Sequence, residues 1–187
     1  TSGGFALILD SGSTAGATIG LTSMVNLSGG LTIRDAGGLA TIGDVGSIAA
    51  GAVTITNSQA GVTFTGNVDS TTFTITDTAD TQTVTFADGQ DVDITTAFVT
   101  ANQAYNVSIQ STTFDAAGDT NFLNTGTVTL GNTNTDALTF AGGLATTGNG
   151  SNPGTVNVAG TVNTTNTQMD LGAITMTAAM PGAWRAN

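Results

Sequence analysis

The stretch Thr127–Met176, TVTLGNTNTDALTFAGGLATTGNGSNPGTVNVAGTVNTTNTQMDLGAITM, decides the fold. It is a string of three- to five-residue alternating segments, each closed by Gly, Asn or Ala-Gly, and its only charges are Asp136 and Asp170. Within it LTFAGGLATT, Leu138–Thr147, returns as VNVAGTVNTT, Val156–Thr165. Apolar falls on apolar, Ala-Gly on Ala-Gly and Thr-Thr on Thr-Thr. A fixed offset of roughly this size marks a solenoid, in which each unit buries its apolar face only by stacking on the next. The pentapeptide GGLAT, at Gly37–Thr41 and again at Gly142–Thr146, agrees with such a repeat.

Upstream the alternation is sharper. Val53-Thr-Ile55, Val62-Thr-Phe64, Phe73-Thr-Ile75, Val84-Thr-Phe86 and Val92-Asp-Ile94 all read apolar–polar–apolar. Residues i and i+2 share one face of a strand, so Val, Ile and Phe point inward and Thr or Asp outward. The triplets start at 53, 62, 73, 84 and 92. Taken in pairs, this predicts two main strands per coil, roughly 18–22 residues per coil and about nine coils, a rod of about 43 Å at about 4.8 Å per rung. The regular coils are expected over about 5–178, beginning with a strand at Phe5–Leu9, with 179–187 as a tail beyond which Pro181 permits no ladder. Thr95–Gln103 breaks the pattern and is predicted as an irregular loop or a single helical turn. Nothing suggests a linker, so residues 1–187 are read as one domain.

Composition supports an all-β reading. The chain has 26 Gly and 13 acidic residues, all Asp, with no Glu, Lys, His or Cys. The strong helix formers Glu and Lys are missing, while Thr, Val, Ile and Phe supply the bulk. A hydrophobic fraction of 39% with mean hydropathy +0.20 separates it from disordered Gly/Asn/Thr-rich chains. Arg34 and Arg185 are the only cations against a net charge of −11, which excludes electrostatic binding to nucleic acid or anionic lipid. No apolar run is long enough to span a membrane as a helix, and without Cys there is no disulfide framework.

The chemistry-bearing residues are few. Acid–base catalysis would fall on Asp alone, with Asp88, Asp91 and Asp93, and nearby Asp77 and Asp80, as the candidates for a paired-carboxylate hydrolase. The bland reading, Asp at turns and on solvated faces, is preferred, and the chain is read as not an enzyme. The run Asp88-Gly-Gln-Asp-Val-Asp93 offers oxygens for calcium, but Asp91 and Asp93 would sit about 7 Å apart on one strand face. No metal or cofactor is assigned. Thr-x-Thr pairs (Thr54/Thr56, Thr63/Thr65, Thr72/Thr74/Thr76, Thr83/Thr85, Thr127/Thr129, Thr175/Thr177) raise an ice-binding reading. Their uneven period does not require them to line up, and β-propensity with Thr ladders on a polar face accounts for them. Asn-x-Ser/Thr triplets at Asn26, Asn106, Asn149 and Asn163 are expected by chance in this composition.

Residues from about Ala104 to Ala178 resemble the repeats of large bacterial exoproteins, the filamentous-haemagglutinin-like adhesins and autotransporter passenger β-helices. The segments that carry the likeness are Phe122–Gly131, Leu138–Gly143, and Gly160–Asn166 leading into Asp170–Met176. The resemblance implies a right-handed parallel β-helix, a place outside the bacterial cell, and an adhesive or structural role. No secretion domain, membrane-anchoring barrel or Arg-Gly-Asp tripeptide accompanies it.

The expected function is that of a β-solenoid subunit stacking head to tail into a surface filament. The alternatives are a segment of a giant secreted adhesin, a β-helical carbohydrate-active enzyme using Asp pairs, and a cross-β functional amyloid. The apolar termini supply the candidate assembly interface, Phe5, Leu7 and Leu9 at one end and Met176, Met180 and Trp184 at the other. Expected partners are other copies of the chain, with surface glycans or neighbouring filaments as further candidates.

Overall fold

The computed structural model describes residues 4–178, an all-β chain without a helix among them. Its strands wind as a parallel β-solenoid of about seven turns, and every pairing is parallel. Each coil has three sides. Face A comprises Leu7–Gly12, Leu31–Ala36, Gly51–Ile55, and the later halves of the bent strands Val68–Ile75 and Asp91–Thr100. It ends in a separate three-stranded sheet of Thr120–Asn121, Leu144–Ala145 and Met169–Asp170. Face B stacks the first halves of Ile19–Asn26 and Ala40–Ala49 on Val62–Phe64, Thr83–Phe86, Asn106–Ile109, Thr127–Leu130, Thr155–Val158 and Ile174–Met176. Face C takes the later halves of Ile19–Asn26 and Ala40–Ala49, the first halves of Val68–Ile75 and Asp91–Thr100, then Thr113–Ala116, Ala137–Phe140 and Thr161–Asn163.

Three strands per coil rather than two correct the expected geometry. One turn runs from Val62 to its partner Val84, and another from Leu138 to its partner Val162. Corner length varies widely: the turn from Val128 to its partner Val156 is far longer than the next one, from Val156 to Ile174. About seven rungs at about 4.8 Å make a rod of about 34 Å, shorter than expected. The sequence repeat that matches Leu138 to Val156 does not measure a coil. Both residues point inward, but from faces C and B, so the likeness joins two sides of the prism. The GGLAT copies are likewise unrelated in space, since Leu39 is exposed and Leu144 buried.

The alternating triplets face as predicted. Val53, Ile55, Val62, Phe64, Phe73, Ile75, Val84, Phe86, Val92 and Ile94 are all fully buried. Their rings form a continuous stack: Phe86 lies 5.4 Å from Phe64, 5.0 Å from Phe73 and 5.7 Å from Phe114, and the series runs on through Phe98, Phe122 and Phe140. One hydrophobic core occupies the axis of the coil.

Two features escape the apolar–polar–apolar pattern. Thr95–Gln103 is neither loop nor helical turn over most of its length, because Asp91–Thr100 is one strand bending from face C to face A. Thr95 and Thr96 stand at the bend, and the register slips where Ser70 and Thr72 oppose it. Below that strand the face A ladder is carried by a side chain. The buried Thr100 hydroxyl donates to Asn121 O at 3.2 Å and accepts from Leu123 N at 2.8 Å, replacing the backbone pairing. Beside it the Tyr105 hydroxyl donates to Ile75 O (3.1 Å) and accepts from Ala101 N (2.9 Å), and burial pushes its pKa far up.

Candidate functional site

A solid axis leaves only the outer faces and the two ends to act. Face C is acidic. Register places Asp69 beside Asp93 and Asp93 beside Asp115, a column of like charges about one strand spacing apart. Partial burial, then the charges of Asp93 and Asp91, raise the Asp69 pKa above the ordinary 3.8. Asp91 accepts a hydrogen bond from the Thr113 hydroxyl, and its backbone N–H donates to Asn67 Oδ1 at 2.9 Å. Among the described residues, no group of three or more acidic side chains converges as a metal site would require.

That column makes a testable statement about pH. A raised carboxylate pKa means the fold favours the protonated form, so stability from Asp69 is full below the unfolded value of 3.8 and is lost as pH rises through the folded value. Asp69→Asn is therefore expected to raise stability at neutral pH by a few tenths of a kcal/mol, solvent screening keeping it small. The gain should fade below about pH 4 and shrink with added salt. Urea midpoints at two pH values check it, and a gain that grows in acid contradicts the assignment.

Among the described residues, face A carries one ion pair, Arg34 to Asp10. Its Nε–Oδ2 distance is 2.7 Å, and the hydrogen bonds from Arg34 hold the Asp10 carboxyl below its usual range. Further along, Asp119 and Asp170 border a hollow of about 330 Å³ over Ala145, lined also by Asn121, Thr147, Asn149 and Gln168. Here Asn121 Nδ2 donates to Asp119 Oδ2 at 3.0 Å and Asn149 Nδ2 to Asn121 Oδ1 at 3.1 Å. This acidic hollow lies away from Asp88, Asp91 and Asp93, the residues singled out for paired-carboxylate chemistry.

Face B is the most regular. Its central outward column runs Thr41, Thr63, Thr85, Ser108, Thr129, Asn157, Thr175 in unbroken register. A second column beside it holds Thr83, Asn106, Thr127 and Thr155. The Thr-x-Thr pairs at Thr63/Thr65, Thr83/Thr85, Thr127/Thr129 and Thr175/Thr177 thus share one face despite their uneven period. Corner loops absorb the differences in length, and the ladders restore the spacing. No charged side chain stands in these columns. Between Thr85 and Thr129 the shorter Ser108 leaves a shallow trough of about 310 Å³. Asn106 at its rim is committed to the backbone, donating to Thr81 O at 2.7 Å and accepting from Thr127 N at 2.7 Å.

Of the candidate assembly residues, Leu7 and Leu9 are half-buried against the core, whereas Phe5 is 88% exposed and precedes the first strand. Met176 is 40% exposed in the last strand, and Met180 and Trp184 lie outside the described residues. The sequence reading missed Leu21 and Met24 at one end and Val162, Met169, Leu171 and Ile174 at the other. These are inward residues left half-covered because no described coil lies beyond them. Alternation marks them as inward, but it carries no signal of which coil is terminal.

One buried carboxylate is structural. Asp136 accepts from Asn132 N (2.7 Å), Thr133 N (3.0 Å) and the Thr133 hydroxyl (2.6 Å), clamping the corner that leads into Ala137–Phe140.

The fold defines the chain as a repeat protein of the parallel β-solenoid class. Comparison with protein-family models, with curated proteins and with solved structures returns no match.

Proposed function

We propose that the chain is a structural module of a bacterial surface, a rigid solenoid rod whose ends stack on further coils. The observation that carries this reading is the state of the axis. Inward residues of the middle coils are fully buried, while Leu7, Leu9, Leu21 and Met24 at one end and Val162, Met169, Leu171 and Ile174 at the other are only partly so. The terminal strands also pair on one side only among the described residues, leaving backbone N–H and C=O groups open. Such an edge recruits strands of matching direction, and a head-to-tail contact along a rod axis propagates as a filament. Acidic face C and charge-free face B run along the sides, so a stacked filament would carry them lengthwise.

The test is sedimentation velocity with negative-stain electron microscopy of the intact chain at rising concentration. Filaments are expected, and Leu7→Asp, which places a charge on the terminal axis, should leave folded single rods. The point change is preferred to deleting residues 1–9, because Leu7–Leu9 pair with Leu31–Ile33 and their removal would bare an equivalent edge one coil further in. A chain that stays monomeric at high concentration, with no filaments, refutes self-stacking.

A further inference from the structure

We propose that Asn149 is a self-modification site, at which the folded chain loses a side-chain amide and gains a carboxylate beside the acidic hollow. The inference is independent of end-to-end stacking and rests on one corner, the bend between Leu144–Ala145 and Thr155–Val158. Asn149-Gly150 is the one Asn-Gly pair in the sequence. Both residues are exposed, and Gly150 has φ of +78° with nothing within 4 Å of an added Cβ. Its backbone N–H donates to no other described residue.

Those are the conditions for attack by the main chain on the side chain. The Gly150 nitrogen, having given its proton to base, attacks Cγ of Asn149. A new C–N bond closes a cyclic imide, the bond to Nδ2 breaks, and that nitrogen takes up a proton and leaves as ammonia. Water then adds to either imide carbonyl and opens the ring, giving aspartate or isoaspartate. Glycine matters because it has no Cβ to crowd the attacking nitrogen and can turn freely into the required conformation. Asn149 is tied by a single side-chain bond, Nδ2 donating to Asn121 Oδ1 at 3.1 Å. One such bond contributes only about 0.5–1.5 kcal/mol and opens readily.

The fold denies the same chemistry to other asparagines by holding the attacking atom. After Asn26, Asn121 and Asn124 the next backbone N–H sits in a ladder: Leu27 N donates to Ala49 O (2.7 Å), Phe122 N to Ala145 O (2.9 Å) and Thr125 N to Gln103 O (2.8 Å). Asn106 is fixed through its amide to Thr81 O and Thr127 N. Asn152 precedes Pro153, which has no N–H to give up.

The product changes the hollow. Asn149 borders it with Asp119 and Asp170, so conversion raises the carboxylates around it from two to three and removes the donor to Asn121. The isoaspartate form also lengthens the main chain by a methylene just before Ser151, whose hydroxyl ties the corner to Leu123 O at 2.7 Å. The modified corner is therefore more acidic and less firmly held, and the added repulsion is greatest at low salt.

The experiment incubates the intact folded chain in warm, mildly alkaline buffer made with ¹⁸O-water. Mass spectrometry with electron-transfer fragmentation locates the label and separates aspartate from isoaspartate. Conversion is expected at Asn149 ahead of every other asparagine, with both products labelled. Gly150→Ala should slow it by at least about tenfold, a barrier higher by roughly 1.4 kcal/mol. Asn149→Gln, which would have to close a larger ring, should leave the position unconverted. Circular dichroism melts establish that both variants are folded. Three results overturn the proposal: Asn149 intact in the folded chain while the free peptide 146–152 converts, label spread evenly over the asparagines, or Gly150→Ala converting as fast as wild type.

Discussion

Phe86→Asp is expected to abolish the cooperative unfolding transition altogether, leaving a chain with no stable β signal in water. Phe86 is fully buried at the crossing of the aromatic stack, with Phe64, Phe73, Phe98 and Phe114 at ring distances of 5.4, 5.0, 6.1 and 5.7 Å. Removing a buried Phe side chain alone costs about 3–5 kcal/mol. The carboxylate then either stays charged in an apolar axis or binds a proton at further cost, with no donor beside it. Against a total stability of about 5–15 kcal/mol, the sum removes the fold. Position adds to the effect, since a solenoid is held by nearest-neighbour interfaces and Phe86 lies mid-rod. The neighbour Thr85 points outward between Thr63 and Ser108, and Thr85→Asp should cost about 1 kcal/mol or less. Circular dichroism melts and urea midpoints separate the two. Equal losses would mean that the faces of Thr83–Phe86 are assigned the wrong way round.

Gly46→Ala is expected to cost about 3 kcal/mol or more, far beyond an ordinary glycine substitution. Gly46 has φ of +85°, and a Cβ added there would lie 1.9 Å from Asp69 O and 3.0 Å from Asp69 Cβ. The left-handed backbone alone accounts for about 1–2 kcal/mol. The remainder comes from the clash, because Asp69 O belongs to the adjoining rung and can retreat only by opening the Val45–Val68 pairing. Gly89 is the control. Its φ is +79° but nothing lies within 4 Å of an added Cβ, so Gly89→Ala should show the conformational cost alone, about 1 kcal/mol. Urea midpoints compare the two, and matching shifts would show that coils are not packed as closely at Gly46 as the structure has them.

The solenoid was legible in the sequence because alternation with period two shows at any strand whose inward residues are both apolar. Val62-Thr-Phe64 and Val84-Thr-Phe86 need no context to be read. The third side of the coil was hidden where that condition fails. Val68-Asp-Ser70 turns a serine inward, Ser70 being fully buried, and the strand drops out of an apolar–polar–apolar search. Missing it merged three sides into two, while the coil count was inflated because corners such as the one between Val128 and its partner Val156 lengthen the turn. Thr100 shows the same limit: a hydroxyl that completes a ladder looks, in sequence, like any other strand threonine. The buried Asp136 likewise could not be told from the Asp residues of the surface.

Sequence alone determined the all-β class, the inward residues of the apolar triplets and the near-absence of cations, because these follow from local periodicity and composition. Tertiary structure alone decided which strands lie on one another. Rungs as close in sequence as Val156 and Ile174, or as distant as Val128 and Val156, reach the same register. The corners take up the slack while backbone ladders and stacked Phe rings fix the spacing. The alignment of Thr63, Thr85 and Thr129 on face B, and of Asp69, Asp93 and Asp115 on face C, is a product of that stacking. No linear period in the chain could announce it.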